Sequence, residues 1–191
     1  MKRLVGSWLV ALIGFALTAA GCQKHVGKAE ETAEGLSSAG PTTRPVSAPG
    51  VSLSYPESWR EVGSTDYALR LVPREAPDDS DVFVSLEIPK LPPHIPGLIP
   101  LGSVVSGYVD DMRKQHADVQ VEPAAAMKLA GVNARRVFST WPAATGKELS
   151  EDAVLTVRGD RVYIFRANAD KPNRETARRG LDALLESVQW R

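Results

Sequence analysis

Cysteine is the residue type that this chain most conspicuously lacks. Its 191 residues include one cysteine, Cys22, and three histidines. A single thiol excludes a disulfide within the chain, and thiolate metal sites need several cysteines. The histidines match no metal-binding spacing. The sequence therefore predicts a domain held together by its hydrophobic core, with no metal site.

Sequence signatures of catalysis are missing as well. There is no Gly-x-Ser-x-Gly elbow of a serine hydrolase, and Gly146-Lys147 lacks the other residues of a phosphate-binding loop. The acidic segment at Asp78, Asp79 and Asp81 does not have the pattern of a calcium loop. These absences predict that the protein is not an enzyme and has no cofactor.

Excess charge of either sign is also absent. The chain has 23 basic and 23 acidic residues, and only five of the basic and three of the acidic ones precede Gly50. A nucleic-acid-binding domain needs a concentrated basic surface. The balance therefore predicts that nucleic acid is not a partner.

The N-terminus carries the most specific pattern in the sequence. Lys2 and Arg3 precede an uncharged apolar run, residues 4–20, which ends in Ala19-Ala20-Gly21-Cys22. This segment resembles a bacterial lipoprotein signal with its lipobox. An uncleaved anchor and an ordinary secretory signal are the alternatives. The lone cysteine favours the lipoprotein, because an unpaired thiol in an exported chain needs an explanation.

The resemblance implies that Cys22 becomes the palmitate-bearing N-terminus of the mature protein. Two or more acyl chains anchor a protein stably to a membrane. The protein would then sit on the periplasmic side of the cell envelope, and Gln23, in place of an aspartate, favours the outer membrane. We predict a signal peptide at residues 1–21, the lipidated cysteine with a disordered linker at 22–49, and one domain at 50–191.

Residues 50–191 show a readable alternation of strands and helices. Apolar residues recur at helical spacing in residues 104–115, after a capping Ser103, and in residues 174–186, after a capping Asn173. Strands are predicted at residues 51–55, 59–62, 68–72, 82–88, 119–121, 127–129, 134–141, 153–157, 161–167 and 187–190. Residues 161–167 are apolar on both faces, which is typical of a central strand. The pattern predicts an α+β domain with an antiparallel sheet and two helices.

Short motifs in this domain resemble a known family. The opening strand ends in Tyr55-Pro56-Glu57-Ser58-Trp59, and Gly131-Val132-Asn133-Ala134-Arg135-Arg136 occurs later. In this order they resemble domains with the PsbP-like fold, which include PsbP and the DcrB-like periplasmic lipoproteins. The resemblance implies an αβα sandwich that serves in binding or assembly, with no catalytic residues to carry over.

A proline-rich apolar loop, residues 91–101, lies outside this resemblance. Its large apolar residues could bind a partner, since a stiff loop loses little entropy on binding, or could cover one end of the core as a lid. The lid is the favoured interpretation. The residues concerned are Leu91, Ile95, Leu98, Ile99 and Leu101.

Three hypotheses for function follow from the sequence. The first is a lipid-anchored, non-catalytic binding or assembly module of the cell envelope, with the membrane and an envelope protein as partners; this one is favoured. The second is a carrier of a small apolar ligand, which needs a cavity of several hundred Å³. The third is an envelope enzyme of unknown class, which needs a cleft with perturbed titratable groups.

Overall fold

The computed structural model describes residues 42–91 and 99–191. No helix in these ranges is long and apolar enough to cross a membrane. The helices are α1 (Leu101–Gln115) and α2 (Arg174–Glu186), the latter preceded by a 3-10 turn (Lys171–Asn173). The strands are β1 (Thr43–Ala48), β2 (Val51–Pro56), β3 (Trp59–Glu61), β4 (Leu69–Pro73), β5 (Phe83–Glu87), β6 (Gln120–Val121), β7 (Ala125–Leu129), β8 (Val132–Pro142), β9 (Glu148–Arg158), β10 (Arg161–Asp170) and β11 (Gln189–Trp190).

An antiparallel sheet of eight strands forms the centre of this unit. Its order is β3-β4-β5-β10-β9-β8-β6, and β7 also pairs with β8. On β10, Val162 and Ile164 belong to one buried cluster, whereas Tyr163 and Phe165 belong to another. Successive side chains of a strand point to opposite faces, so β10 is buried on both. The prediction that residues 161–167 form a central strand is confirmed.

The two helices cover opposite faces of this sheet. Tyr108 and Met112 of α1 pack with β8, β9 and β10 on one face. On the other face, Leu181 and Leu184 of α2 pack with Phe165. Helix α2 also packs on β2, which belongs to a second sheet of three strands in the order β1-β2-β11. The predicted α+β architecture is therefore confirmed, but with two sheets where one was expected.

Strand β1 occupies the last part of residues 22–49, which were predicted to form a disordered linker. The predicted end of that linker, at Pro49, is therefore wrong. Strand β1 pairs antiparallel with β2, from Thr43 opposite Pro56 to Ala48 opposite Val51. Ala48 is buried and Val46 packs against the same core. The segment has too few apolar residues to fold by itself, but β2 supplies backbone partners and a core to cover. Pro45 is compatible with a strand here, because β1 lies at the edge of its sheet.

Helix α1 begins two residues before the predicted cap at Ser103. Pro100 is the N-cap residue, and its carbonyl accepts the backbone N–H of Val104 at 3.2 Å. Proline is tolerated at a helix start because the first N–H groups of a helix have no partner within it. Helix α2 has the predicted bounds, with Asn173 at its N-cap, although the Asn173 side chain makes no capping hydrogen bond.

Candidate binding cleft beside helix α2

A cleft of about 560 Å³ opens between the first turns of α2 and the neighbouring part of the sheet face on which α2 packs. Its floor comes from β8, β9 and β10, and its far rim from the segment between β6 and β7. A second hollow of about 380 Å³ lies further along α2 and shares Arg136 with the cleft. The cleft is lined by Glu122, Pro123, Ala125, Arg136, Phe138, Ser150, Asp152, Ala167, Lys171, Pro172, Arg174, Glu175, Ala177 and Arg178.

Alternation along β9 places polar groups on both faces of the sheet. Ser150 and Asp152 line the cleft, whereas Glu151, between them, is bonded to Tyr108 of α1 on the opposite face. All three residues are buried. A strand directs neighbouring side chains to opposite faces, so this short polar segment supplies both the cleft and the interface beneath α1.

Arg136 connects the floor of the cleft to α2. Its Nε and Nη2 each donate a hydrogen bond to the Asp152 carboxylate at 2.7 Å, and Nη2 also lies 2.9 Å from Oδ1 of Asp182 on α2. The hydrogen bonds to Asp152, together with the negative charge of both aspartates, raise the pKa of Arg136. Bidentate pairing of this kind fixes the guanidinium geometrically, so Arg136 is a rigid part of the floor.

Arg174 lies at the mouth of the cleft, where α2 begins. Its guanidinium carbon is 5.1 Å from the centre of the Phe138 ring. Its Nη2 donates to Oε1 of Glu148 at 2.9 Å, and its Nε donates to Oγ of Ser150 at 3.3 Å. Ser150 in turn donates to the carbonyl of Ala169 at 3.1 Å. These contacts hold the arginine in one orientation, and Glu148 offsets part of its positive charge.

A second polar cluster is enclosed beneath α1. The Tyr108 hydroxyl donates to Glu151, Arg166 lies over the Tyr108 ring at 5.4 Å, and Nη2 of Arg166 pairs with Glu87 at 2.6 Å. Burial and the nearby charge of Glu151 raise the pKa of Tyr108 well above its usual value. Burial opposes the charge of Arg166, but Glu151 and Tyr108 outweigh it and raise the pKa. This cluster ties α1 to the sheet.

The site residues predicted from sequence are described only in part. Cys22, Ile95 and Leu98 lie outside the described residues. Leu91, Ile99 and Leu101, at the two ends of the proline-rich loop, are half-buried and pack against the core beneath α1. Within residues 42–91 and 99–191, no group of three histidine, cysteine, aspartate or glutamate side chains is arranged to hold a metal ion.

Apart from Phe138, the aromatic side chains of β2, β3, β8, β10 and β11 pack in or against the core and do not line the cleft. Trp190 is half-buried, and its ring meets that of Tyr163 edge-on at a centroid distance of 5.0 Å. The buried ones are Tyr55, Trp59, Trp141, Tyr163 and Phe165.

Sequence reasoning missed the cleft because it ended one strand at residue 141 and began the next at residue 153. In the structure β9 begins at Glu148, which pairs with Pro142 of β8. A signal was present only in the spacing: Ser150 and Asp152 lie two residues apart, directly before the strand predicted at residues 153–157. Extending the strand backwards would have put both side chains on one face of the sheet.

This arrangement, with α1 and α2 on opposite faces of an antiparallel sheet, is the PsbP-like fold. The structure resembles that of cyanobacterial PsbP (CyanoP) from Synechocystis sp. PCC 6803 with a TM-score of 0.58, at 14% identity over 81% of this chain and 96% of that one. It also resembles LpqN, described as involved in cell envelope biogenesis of Mycobacterium tuberculosis, with a TM-score of 0.50, at 19% identity over 78% of this chain and 90% of that one.

These likenesses establish the fold. No family model and no curated protein sequence matches the chain. The resemblance to PsbP-like domains drawn from Tyr55-Pro56-Glu57-Ser58-Trp59 and the later motifs is confirmed at that level.

Proposed function

We propose that this protein is a lipid-anchored component of the bacterial cell envelope, and that its PsbP-like domain binds a partner in the cleft beside α2 without catalysing a reaction. The observation that carries the proposal is the cleft itself. Its volume of about 560 Å³ lies within the range typical of ligand sites, about 300–1,000 Å³. Arg136 and Arg174 are held rigidly at its floor and mouth, as in a surface built for recognition.

The titratable groups of the described residues support binding over catalysis. A general acid or base works best when its pKa lies near the operating pH. Tyr108, Lys114, Arg136 and Arg166 have raised pKa values, each shifted away from neutrality. None of them offers the poised proton donor or acceptor that the enzyme hypothesis needs.

The packing of the described residues also favours a binding module over an apolar carrier. A carrier needs an enclosed apolar cavity between sheet and helix. Here the space between the sheet and each helix is filled by buried side chains such as Phe165, Leu181 and Leu184 on one face and Met112 on the other. The cleft is open at the surface and has charged walls.

The cellular setting of the proposal comes from the N-terminal residues. Residues 2–22 have the charge, length and small residues of a lipoprotein signal, and Gln23 favours the outer membrane. LpqN, which shares the fold, is described as acting in cell envelope biogenesis. An envelope protein reached from the periplasmic face of the membrane is the partner we propose.

Mass spectrometry of the mature protein tests the anchor. We expect loss of residues 1–21 and an added lipid mass on Cys22, and we expect a Cys22→Ser variant to leave the membrane fraction. An intact leader, or a variant that stays in the membrane, would contradict this part of the proposal.

Photo-crosslinking in the envelope tests the binding surface. A photoreactive residue at position 178, on the wall of the cleft, should crosslink to a partner. The same residue at position 179 is the matched control, because Arg179 is exposed on the same helix but does not line the cleft. Equal crosslinking at the two positions, or none at 178, would contradict a partner in the cleft.

A further inference from the structure

We propose that the cleft recognises an anionic group, a carboxylate or phosphate, carried on an apolar body. Lys171, Arg174 and Arg178 would receive the anion, and the apolar body would lie on Phe138. This inference rests on the proposed function, because it names the chemistry of the ligand for the same cleft.

Positive charge is concentrated on one wall of the cleft. Lys171, Arg174 and Arg178 all line it from the first turns of α2 and the 3-10 turn before them. On the floor, Asp152 is neutralised by Arg136. Two acidic residues remain among the lining residues: Glu122 is on the far rim, and Glu175 is exposed and lies 4.0 Å from Arg179, which does not line the cleft. Glu148 pairs with Arg174 and lies near Lys171, and Asp182 lies near Arg178, so these two carboxylates offset part of the positive charge. The three cations still outnumber them, and the wall formed by α2 therefore favours an anion.

Hydrogen-bond donors on that wall are still available. Nζ of Lys171 is 3.7 Å from Glu148, and Nε of Arg178 is 3.9 Å from Asp182. Both distances exceed those of hydrogen bonds, so these groups keep their donors for a ligand. Arg174 already uses Nε and Nη2 to donate to Ser150 and Glu148, so its contribution to a ligand would come from Nη1. The N-terminus of α2 adds to the positive potential of the same wall, because the peptide dipoles of a helix favour anions there.

The floor provides an apolar surface beside these cations. The Phe138 ring is half-buried, and the residues around it are small or rigid: Ala125, Ala167, Ala177, Pro123 and Pro172. Short side chains leave the volume of the cleft open while keeping its surface apolar. A ligand with one charged end and one apolar end would satisfy both parts of the site, whereas a cation would face the positive wall.

Calorimetric titration of the full chain in detergent micelles tests this inference with three probes. These are 4-phenylbutyrate, 4-phenylbutyl phosphate and the neutral 4-phenylbutanamide. We expect one or both anions to bind at least about tenfold more tightly than the amide, as charge-assisted hydrogen bonds require, and to weaken as salt is raised. A tighter carboxylate supports the proposed protein partner, whereas a tighter phosphate would indicate a lipid head group and contradict a protein partner in the cleft.

Neighbouring arginines supply the matched variants. Arg178→Gln should weaken binding of the tighter anion about fivefold, whereas Arg179→Gln should change it less than twofold, because exposed charges outside a site contribute little. Equal binding of the amide and the anions, or equal effects of the two variants, would overturn the anion site. If crosslinking at position 178 persisted in that case, the proposed binding function would stand and only the ligand chemistry would be wrong.

Discussion

At the scale of single residues, Ala130 has a backbone conformation that suits other residue types better. Its φ is 45°, and Gly131 follows with a φ of 83°, in the two-residue turn between β7 and β8. Two consecutive positive φ angles define the hairpin turn for which Asn-Gly is the preferred sequence. A left-handed conformation costs an ordinary residue about 1–2 kcal/mol.

Ala130→Asn should therefore stabilise the protein. We expect the free energy of unfolding to rise by about 0.5–1 kcal/mol, because asparagine tolerates this conformation better than alanine. Denaturant unfolding measures the change. Gly131→Ala is the control for turn geometry and should lower the free energy of unfolding; a loss of stability in both variants would contradict this account of the turn.

Titration of Tyr108 should change the free energy of unfolding with pH. Its pKa is raised in the folded protein, mainly by burial and then by Glu151. A group whose pKa is raised by folding makes its full contribution to the free energy of unfolding at pH values below its unfolded-state pKa, which is about 10 for tyrosine. The contribution is lost as the pH rises from about 10 towards the folded-state value.

Comparing Tyr108→Phe with the parent protein isolates this contribution. At pH 7 we expect the variant to be about 1–3 kcal/mol less stable, because the buried carboxylate of Glu151 loses a donor. Above about pH 10 the parent protein should lose stability faster than the variant, so the difference between them should shrink. Unfolding curves from pH 7 to 11 would refute this if the difference stayed constant.

At the scale of elements, two helical glycines have opposite surroundings. A Cβ on Gly180 of α2 would lie 2.5 Å from Cζ2 of Trp59, a buried residue of β3. A Cβ on Gly107 of α1 would meet nothing within 4 Å. The first glycine allows α2 to approach β3 closely, whereas the second only lowers the helix propensity of α1.

Gly180→Ala and Gly107→Ala are therefore expected to change stability in opposite directions. Overpacking against Trp59 should lower the free energy of unfolding by about 1–3 kcal/mol. The open position should raise it by about 0.5–1 kcal/mol. Thermal unfolding of both variants measures this, and a stabilised Gly180→Ala would mean that α2 does not depend on close contact with Trp59.

The proline-rich loop is the second feature at this scale. Ile99 is half-buried against the core beneath α1, so replacing it with serine should reduce stability by about 1–2 kcal/mol, through loss of part of a buried apolar side chain. The double change Leu98→Ser with Ile99→Ser should cost several kcal/mol if the loop is a lid. An unchanged melting temperature together with lost partner crosslinking would instead identify the loop as a partner surface.

At the scale of the whole molecule, β1 sets where the domain begins. It pairs with β2 along its full length and contributes Val46 and Ala48 to the core. Deleting residues 1–41 should leave the stability of the domain unchanged. Deleting residues 1–49 should lower it by about 1–2 kcal/mol, since full burial of a valine contributes about 1.5–3 kcal/mol and Val46 is half-buried. Equal melting temperatures for the two shortened chains would restore a boundary at Gly50.

Local patterns in the sequence determined much of this fold. The continuous apolar run in β10 and the 3.6-residue spacing of apolar residues in α2 each lie within one element, so they can be recognised without knowing what the element packs against. Tyr55-Pro56-Glu57-Ser58-Trp59 and the motifs after it carried the likeness to the PsbP-like fold.

Tertiary structure alone decided the start of the domain and the cleft. Strand β1 has too little apolar surface to be stable alone and depends on pairing with β2. In the cleft, Arg136 meets Asp152 and Asp182 from two other elements. Each of these side chains is an ordinary solvated charge in the sequence, and the pairing exists only after β9 lies beside β8 and α2 packs across the sheet. Local sequence patterns do not reveal sites assembled from several elements, because the residues of such a site lie on one surface but have no regular spacing along the chain.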